Sequence, residues 1–272
     1  MTAAPFSETG SQGSGFLNST SIPLGVQLWS VKNDLFRNFD ATLKALADTG
    51  YRYVEAAGYD LKSGTLFGLK PGVFQQKIEA TGMQCIGVHA PVAADSIEQI
   101  LNDLSPMPIA YLVTYMHPDE NRNANDYYRI ARSYNHIGSI AQNAGIHFGY
   151  HNHHFEFAPL QGERPVDILL KNTDPALVAF EVDLGWVVQA GESPETLFNR
   201  YPGRFPLWHL RDVNADGTPV NAGDGIVDFH SLQPLKKQAG FLYGIVETPS
   251  AAADGLNRVI ASFNYIRREQ LY

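Results

Sequence analysis

Ionisable side chains recur at the ends of the apolar, strand-like segments of this 272-residue chain. A buried core would favour valine or isoleucine there, because an unpaired buried polar group costs about 1–3 kcal/mol. A bound metal ion would explain why so many acids and imidazoles converge. The residues at or just beyond the predicted strand ends are Gln27, Glu55, His89, Tyr115, His151, His153, Glu181, Asp183, His209, Arg211 and Glu247.

Four of these residues form the predicted metal site. Together they suit one divalent ion, namely Mn, Zn, Co, Fe, Ni or Mg, and the mixture of imidazole and carboxylate favours the transition metals. Positions left open for substrate oxygens would distinguish this site from a closed structural one. The alternative for Asp183 is a role as the N-cap of the next helix. The predicted ligands are His151, Asp183, His209 and Glu247.

Further residues are predicted to surround the ion. Side chains two apart on a strand share a face, so His153 accompanies the predicted ligand His151. Glu181 is expected to hold a ligand in place, with Arg211 as its ion-pair partner. Tryptophans near the site would stack on a sugar ring, and ordinary packing is their alternative. The predicted substrate contacts are Glu55, His89, His153, Arg211, Trp29 and Trp186.

Strand-like and helix-like segments alternate eight times along residues 22–272, with no long linker. This alternation predicts parallel strands joined by helices. Eight units at this length predict one closed (β/α)8 TIM barrel of the α/β class, with functional groups at the C-terminal strand ends. The predicted strands include Ile22–Ser30, His147–His153 and Pro206–Val213. An open doubly wound sheet is the alternative, but its Gly-rich turn is missing after the first strand.

Composition restricts the class of protein. The net charge of −8 and the pI near 5.5 argue against nucleic-acid binding. Cys85 is the single cysteine, so no internal disulfide is expected, and no apolar run is long enough for a membrane span. Residues 1–21 are predicted to be a flexible tail and lack the features of an intact signal peptide. We expect a cytoplasmic location, with a mature periplasmic chain as the alternative, and leave homo-oligomerisation open.

The chain resembles the xylose isomerase-like TIM-barrel superfamily, loosely called sugar phosphate isomerases/epimerases, from about Leu24 to the C-terminus. The motifs occur in order on successive predicted strands: GVQLWSVKNDLFRNFDATLKALADTGYRYVEAAGY, GYHNHHFEF, FEVDLGWVVQAG, FPLWHLRDV, GDGIVDF and IVETP. Members typically bind one divalent metal through Glu, Asp, His and Glu at the ends of strands five to eight. By position, the last three ligands fall on Asp183, His209 and Glu247. The first falls on His151, where this chain departs from the pattern.

This departure bears on catalysis. Isomerases and epimerases of the superfamily use two facing glutamates as an acid/base pair, and only Glu247 stands in place here. Glu156, five residues after His151, is a candidate to replace the missing carboxylate or to bind a substrate hydroxyl. His151 is itself a candidate proton carrier. The catalytic set that the resemblance implies is therefore Glu247, His151 and Glu156.

The resemblance implies a metal-dependent isomerase or epimerase that works through an enediolate. No cluster of Lys or Arg lies at the strand ends to bind a phosphate, so we expect an unphosphorylated keto-sugar or cyclitol. A lyase or dehydratase acting on a 3-keto-glycoside or an inosose is the alternative on the same scaffold. A non-catalytic sugar-binding barrel is a further alternative. So is a metal-dependent phosphodiesterase acting on DNA, which the acidic charge disfavours.

Overall fold

A closed barrel of eight parallel strands forms the centre of the molecule. The computed structural model describes residues 24–119, 121–249 and 254–272. Each barrel strand pairs with the strands before and after it, and the last pairs with the first. The predicted (β/α)8 barrel is therefore confirmed, and the predicted tail at 1–21 lies outside the described residues.

The barrel strands are short and are numbered here in chain order. They are β1 (Leu24–Gln27), β2 (Tyr53–Ala56), β3 (Gln84–His89), β4 (Tyr111–Tyr115), β5 (His147–His151), β6 (Val178–Asp183), β7 (Leu207–His209) and β8 (Tyr243–Val246).

Helices follow the strands and cover the outside of the barrel. Short hairpins also extend the loops after β2 and β7. Within the described ranges, no helix is both long enough and apolar enough to cross a membrane. The helices are Lys32–Arg37, Phe39–Thr49, Pro71–Glu79, Ile97–Leu104, Ala124–Asn143, Pro165–Asn172, Leu184–Gln189, Pro194–Arg200, Phe229–Leu232, Lys236–Ala239 and Gly255–Arg268.

Local sequence signals begin and end the second of the two helices between β1 and β2. The Asn38 side chain accepts a hydrogen bond from the backbone N–H of Ala41 (3.1 Å) and caps Phe39–Thr49. Gly50 ends this helix with φ of 117°, in the left-handed region that glycine adopts without steric cost. The chain can therefore reverse within three residues and enter β2.

The barrel interior has an apolar lower part and a polar upper part. Side chains alternate along each strand, so Ala179 faces inward while Phe180 packs in the outer core with the helices. The next inward residues on this strand, Glu181 and Asp183, are polar and lie nearer the C-terminal mouth. The apolar part fills the lower barrel, as in other barrels of this kind. It consists of Ile86, Tyr111, Val113, Ala179, Leu207 and Ile245.

The strands β1, β5 and β7 end earlier than predicted. β1 ends at Gln27, because the chain turns there into the 3-10 helix Leu28–Val31. β5 ends at His151, two residues before the predicted boundary. β7 ends at His209, because Asp212–Val213 leaves the barrel and forms a hairpin instead. At each place the residues after the strand become loops at the barrel mouth.

Candidate metal centre

The four predicted ligands come together at the C-terminal mouth of the barrel. They end β5, β6 and β7 or directly follow β8, and one donor atom from each lies within 4.8 Å of the others. Two imidazoles and two carboxylates, all buried, fit a transition-metal cation by their chemistry. We call this set the upper donor group. It consists of His151, Asp183, His209 and Glu247.

Arg211 closes one side of the upper donor group. Its Nε donates to Asp183 Oδ2 (2.7 Å), and its Nη2 lies 2.8 Å from Glu247 Oε2. Arg211 follows His209 by two residues, so it lies level with these two carboxylates. Glu181 lies one layer lower in β6 and contacts histidines instead. The predicted ion pair between Glu181 and Arg211 is therefore wrong.

Asp183 belongs both to the site and to the helix that follows it. Its Oδ1 accepts a hydrogen bond from the backbone N–H of Trp186 (3.0 Å), which caps Leu184–Gln189. Its Oδ2 faces Arg211, and its own N–H donates to Asn152 Oδ1 (3.2 Å). The N-cap alternative is thus confirmed alongside the position at the site. Sequence reasoning missed Asn152, although its place between the two histidines of HNH was a usable signal.

A second set of donor atoms lies one layer lower in the barrel. Glu181 Oε2 is 2.6 Å from His89 Nε2 and 3.1 Å from His151 Nδ1. The same oxygen is 3.1 Å from His209 Nε2. We call these residues the deep donor group, and it shares two histidines with the upper donor group. It consists of His89, His151, Glu181 and His209.

Glu55 lies under the mouth of the barrel and not on the surface that a substrate would touch. Its Oε2 accepts a hydrogen bond from Gln27 Nε2 (2.7 Å). The same oxygen lies 2.8 Å from His209 Nε2 and 3.1 Å from His89 Nε2. The side chain is only 1% exposed. The structure therefore places this predicted substrate contact beside the deep donor group.

Buried carboxylates and imidazoles shift one another's pKa values. Burial alone would lower the pKa of His89, but Glu55 and Glu181 outweigh it and raise that pKa to about 10. Burial is outweighed in the same way at His209, whose pKa stands well above its ordinary value because of the carboxylates of Glu181, Glu247 and Glu55. Burial would raise the pKa of Glu181, but His209 and His89 hold it well below its usual range. A cation that binds here must displace protons from these imidazoles.

A cavity of about 640 Å³ opens above the upper donor group. The Arg211 guanidinium lies 4.8 Å from the ring centroid of Trp186, and the Lys32 ammonium lies 3.8 Å from that of Trp29. Indole rings beside charged groups suit a ligand with an apolar face and many hydroxyls. The predicted residues that line the cavity are Trp29, His89, His151, His153, Trp186, Arg211 and Glu247.

His153 and Glu156 occupy different places, although only three positions separate them. His153 lines the cavity, and burial together with neighbouring His151 lowers its pKa to about 3. Glu156 is fully buried, binds the Tyr150 hydroxyl and accepts a hydrogen bond from the His153 N–H (2.9 Å). Burial raises the pKa of Glu156 to about 7. The structure does not bring Glu156 into either donor group.

Comparison with curated proteins finds relatives over part of the chain. No family model matches the chain. An inosose dehydratase from Clostridium beijerinckii is 25% identical over 168 residues, which are 54% of this chain and 56% of that protein. The chain thus spans about half the length of the curated relatives it matches.

Solved structures match over nearly the whole chain. A sugar phosphate isomerase/epimerase from Parabacteroides distasonis has a TM-score of 0.82 at 23% identity and covers 94% of this chain and 97% of its own. A xylose isomerase domain protein from Alicyclobacillus acidocaldarius has a TM-score of 0.69 at 15% identity, covering 92% and 98%. Identities this low show the fold alone. The chain therefore has the fold of the xylose isomerase-like TIM barrels, and the resemblance predicted from its motifs is confirmed.

Proposed function

We propose that this protein is a metal-dependent isomerase or epimerase that acts on an unphosphorylated keto-sugar or cyclitol through an enediolate. The observation that carries the proposal is the meeting of His151, Asp183, His209 and Glu247 donor atoms within 4.8 Å of one another. These atoms lie below a cavity large enough for a sugar ring. A divalent cation held there would polarise a substrate carbonyl and favour loss of the neighbouring proton.

Glu247 is the base that the geometry favours. Burial would raise its pKa, but Arg211 and His209 outweigh burial and hold the pKa well below its usual range. The carboxylate is therefore ionised at neutral pH and lines the cavity, where it can accept the α-proton of a bound ketone. Arg211 keeps it in place through the 2.8 Å contact with Nη2. His151, which also lines the cavity, is the proposed second proton carrier in place of the missing glutamate.

The remaining predicted contacts would orient the substrate. Trp29 and Trp186 offer indole rings against which a sugar can stack, while His153 and Arg211 offer polar atoms. The ring Nδ1 of His153 is buried without a hydrogen-bond partner in the described part of the chain. A substrate hydroxyl that reached this nitrogen would remove the cost of leaving it unpaired.

A lyase or dehydratase is the second candidate. Its specific support is the similarity to inosose dehydratases, which spans about half the length of those proteins. Both candidates begin with removal of a proton next to a carbonyl. They differ in the next step, because the lyase expels an oxygen from the adjacent carbon whereas the isomerase returns a proton. The upper donor group suits either outcome.

Proton exchange tests the proposal directly. The purified protein, supplied with Mn²⁺ or Co²⁺, is incubated in D2O with ketohexoses, an inosose and 3-keto-glycosides, and ¹H NMR follows the α-protons. We expect exchange with at least one class of ketone. Reprotonated products would favour the isomerase, and an unsaturated ketone formed by loss of water would favour the dehydratase.

Two variants sharpen this test. Glu247→Gln should slow exchange by about 10²–10⁴-fold, the usual contribution of a general base. Glu98→Gln, the same change on an exposed residue of helix Ile97–Leu104, is the matched control and should exchange at the wild-type rate. Exchange by Glu247→Gln at the wild-type rate would remove Glu247 from the role of base.

A further inference from the structure

The deep donor group has a geometry that its hydrogen bonds do not explain. We infer that this group, together with Glu55, is a cation site in its own right and binds a transition-metal ion without Asp183 or Glu247. The inference rests on metal binding, which is one part of the proposed function, but not on the substrate or the reaction.

Three imidazole nitrogens converge on a single oxygen of Glu181. The distances to Oε2 are 2.6 Å from His89 and 3.1 Å from each of the other two histidines of the group. The other oxygen of the same carboxylate, Oε1, is buried and has no partner among the described residues. A carboxylate held only by hydrogen bonds would be expected to use both oxygens, because each has two lone pairs.

Glu55 shows the same unequal use of its two carboxylate oxygens. Its Oε2 lies near two of the same nitrogens, 2.8 Å from His209 Nε2 and 3.1 Å from His89 Nε2. Its Oε1, too, is buried and unpartnered within the described residues. Nε2 of an imidazole carries at most one hydrogen, so Nε2 of His89 cannot donate well to Glu55 and Glu181 at once. Donors around a cation with bonds of about 2.0–2.2 Å lie roughly 3 Å apart, which matches these separations.

The balance of charge points the same way. In the upper donor group, Arg211 already compensates Asp183 and Glu247 through contacts of 2.7 and 2.8 Å. The ion pairs of Glu55 and Glu181 within the described ranges are with imidazoles alone. Protons on these imidazoles can balance the two enclosed carboxylates, and a divalent cation that displaces the protons would supply the same compensation. Imidazole and carboxylate donors together select zinc, cobalt, manganese or iron.

The two nitrogens of His209 connect the two donor groups. Nε2 faces Glu181 and Glu55, whereas Nδ1 lies 2.7 Å from Glu247 Oε2. With a cation on Nε2, the Nδ1–H would donate to Glu247, which is the common arrangement of carboxylate, histidine and metal. His89 gives the cation a route of entry, because it lines the cavity while Glu55 and Glu181 are enclosed.

Cobalt binding by a variant without the upper carboxylates tests the inference. Co²⁺ is titrated into wild type and into Asp183→Asn/Glu247→Gln, with visible absorption and calorimetry as readouts. We expect the double variant to keep one equivalent of Co²⁺. Adding His89→Ala and Glu181→Gln to the double variant should lower its affinity for Co²⁺ by at least 100-fold. His230→Ala, on an exposed histidine, is the matched control and should bind as wild type does.

A second measurement needs no change in the barrel interior. Co²⁺ shifts the exchangeable N–H protons of coordinated imidazoles far outside the normal ¹H NMR range. Three such signals in the wild-type protein would support the deep donor group, whereas two would indicate the upper donor group and overturn the inference. Loss of all Co²⁺ binding by a folded Asp183→Asn/Glu247→Gln variant would overturn it as well.

These results separate the inference from the proposed function. Proton exchange by wild type, combined with two shifted signals, would leave the function standing and remove the deep site. Three shifted signals without exchange of any ketone would leave the deep site standing and remove the proposed reaction.

Discussion

Glu156 should make the stability of this protein depend on pH, and a single substitution isolates its contribution. Burial raises the pKa of this carboxyl from 4.5 to about 7 in the folded protein. Between pH 4.5 and about 7, the folded protein therefore keeps a proton on Glu156, whereas the unfolded chain has released it. Unfolding loses that proton, so the free energy of unfolding falls as pH rises from about 4.5 to 7 and is constant above. At about 1.4 kcal/mol per pKa unit, the ionised carboxylate costs about 3 kcal/mol.

The test variant is Glu156→Gln. The amide can accept the hydrogen bond from the His153 N–H and donate to the Tyr150 hydroxyl, so both native contacts survive without a charge. At pH 5 the free energy of unfolding of the variant should be similar to that of wild type. At pH 8.5 it should exceed the wild-type value by about 2–3 kcal/mol. Urea unfolding across this range measures the difference, in which the other titrating groups cancel.

Glu98→Gln, the same change on an exposed residue, is the matched control for this measurement. A difference for Glu156→Gln that is flat from pH 5 to 8.5 would refute the reasoning. It would mean that the Glu156 carboxyl keeps an ordinary pKa despite its burial.

Three further predictions concern the loop, the metal and the cavity. Gly225→Ala should destabilise the fold by about 2–3 kcal/mol, because a Cβ there would lie 2.3 Å from Asp212 Oδ1. Gly72→Ala is the control, because the atom nearest to an added Cβ would be 3.6 Å away. Its free energy of unfolding in urea should stay within about 1 kcal/mol of the wild-type value. Zn²⁺ binding at pH 7 should release at least one proton, because His209 has a raised pKa and belongs to both donor groups. Calorimetry in two buffers of different ionisation enthalpy measures this release. An equal heat of Zn²⁺ binding in the two buffers would contradict the prediction. Trp29→Ala should raise KM for the ketone about 5–30-fold, because the indole lines the cavity. The Tm should change little, because this residue is 39% exposed. An unchanged KM would place the substrate elsewhere.

Sequence by itself determined the barrel and the members of the upper donor group. Alternating apolar segments indicate eight strands with helices between them, and strand ends in a barrel necessarily face one mouth. Asp183, His209 and Glu247 could therefore be placed together without coordinates. Side-chain alternation likewise predicted that His153 shares a face with His151.

Tertiary structure alone decided how these groups pair. Arg211 binds Asp183 and Glu247 and not Glu181, because the tilt and stagger of strands set which inward residues share a layer. Glu156 could be placed near His151 by sequence, but the early end of β5 turns its carboxylate toward Tyr150. The pairing of Glu55 on β2 with His209 on β7 also depends on closure of the barrel, which is completed where β1 pairs with β8. Periodicity along a chain specifies the direction of a side chain, but distances across a barrel depend on register between strands that the sequence pattern does not encode.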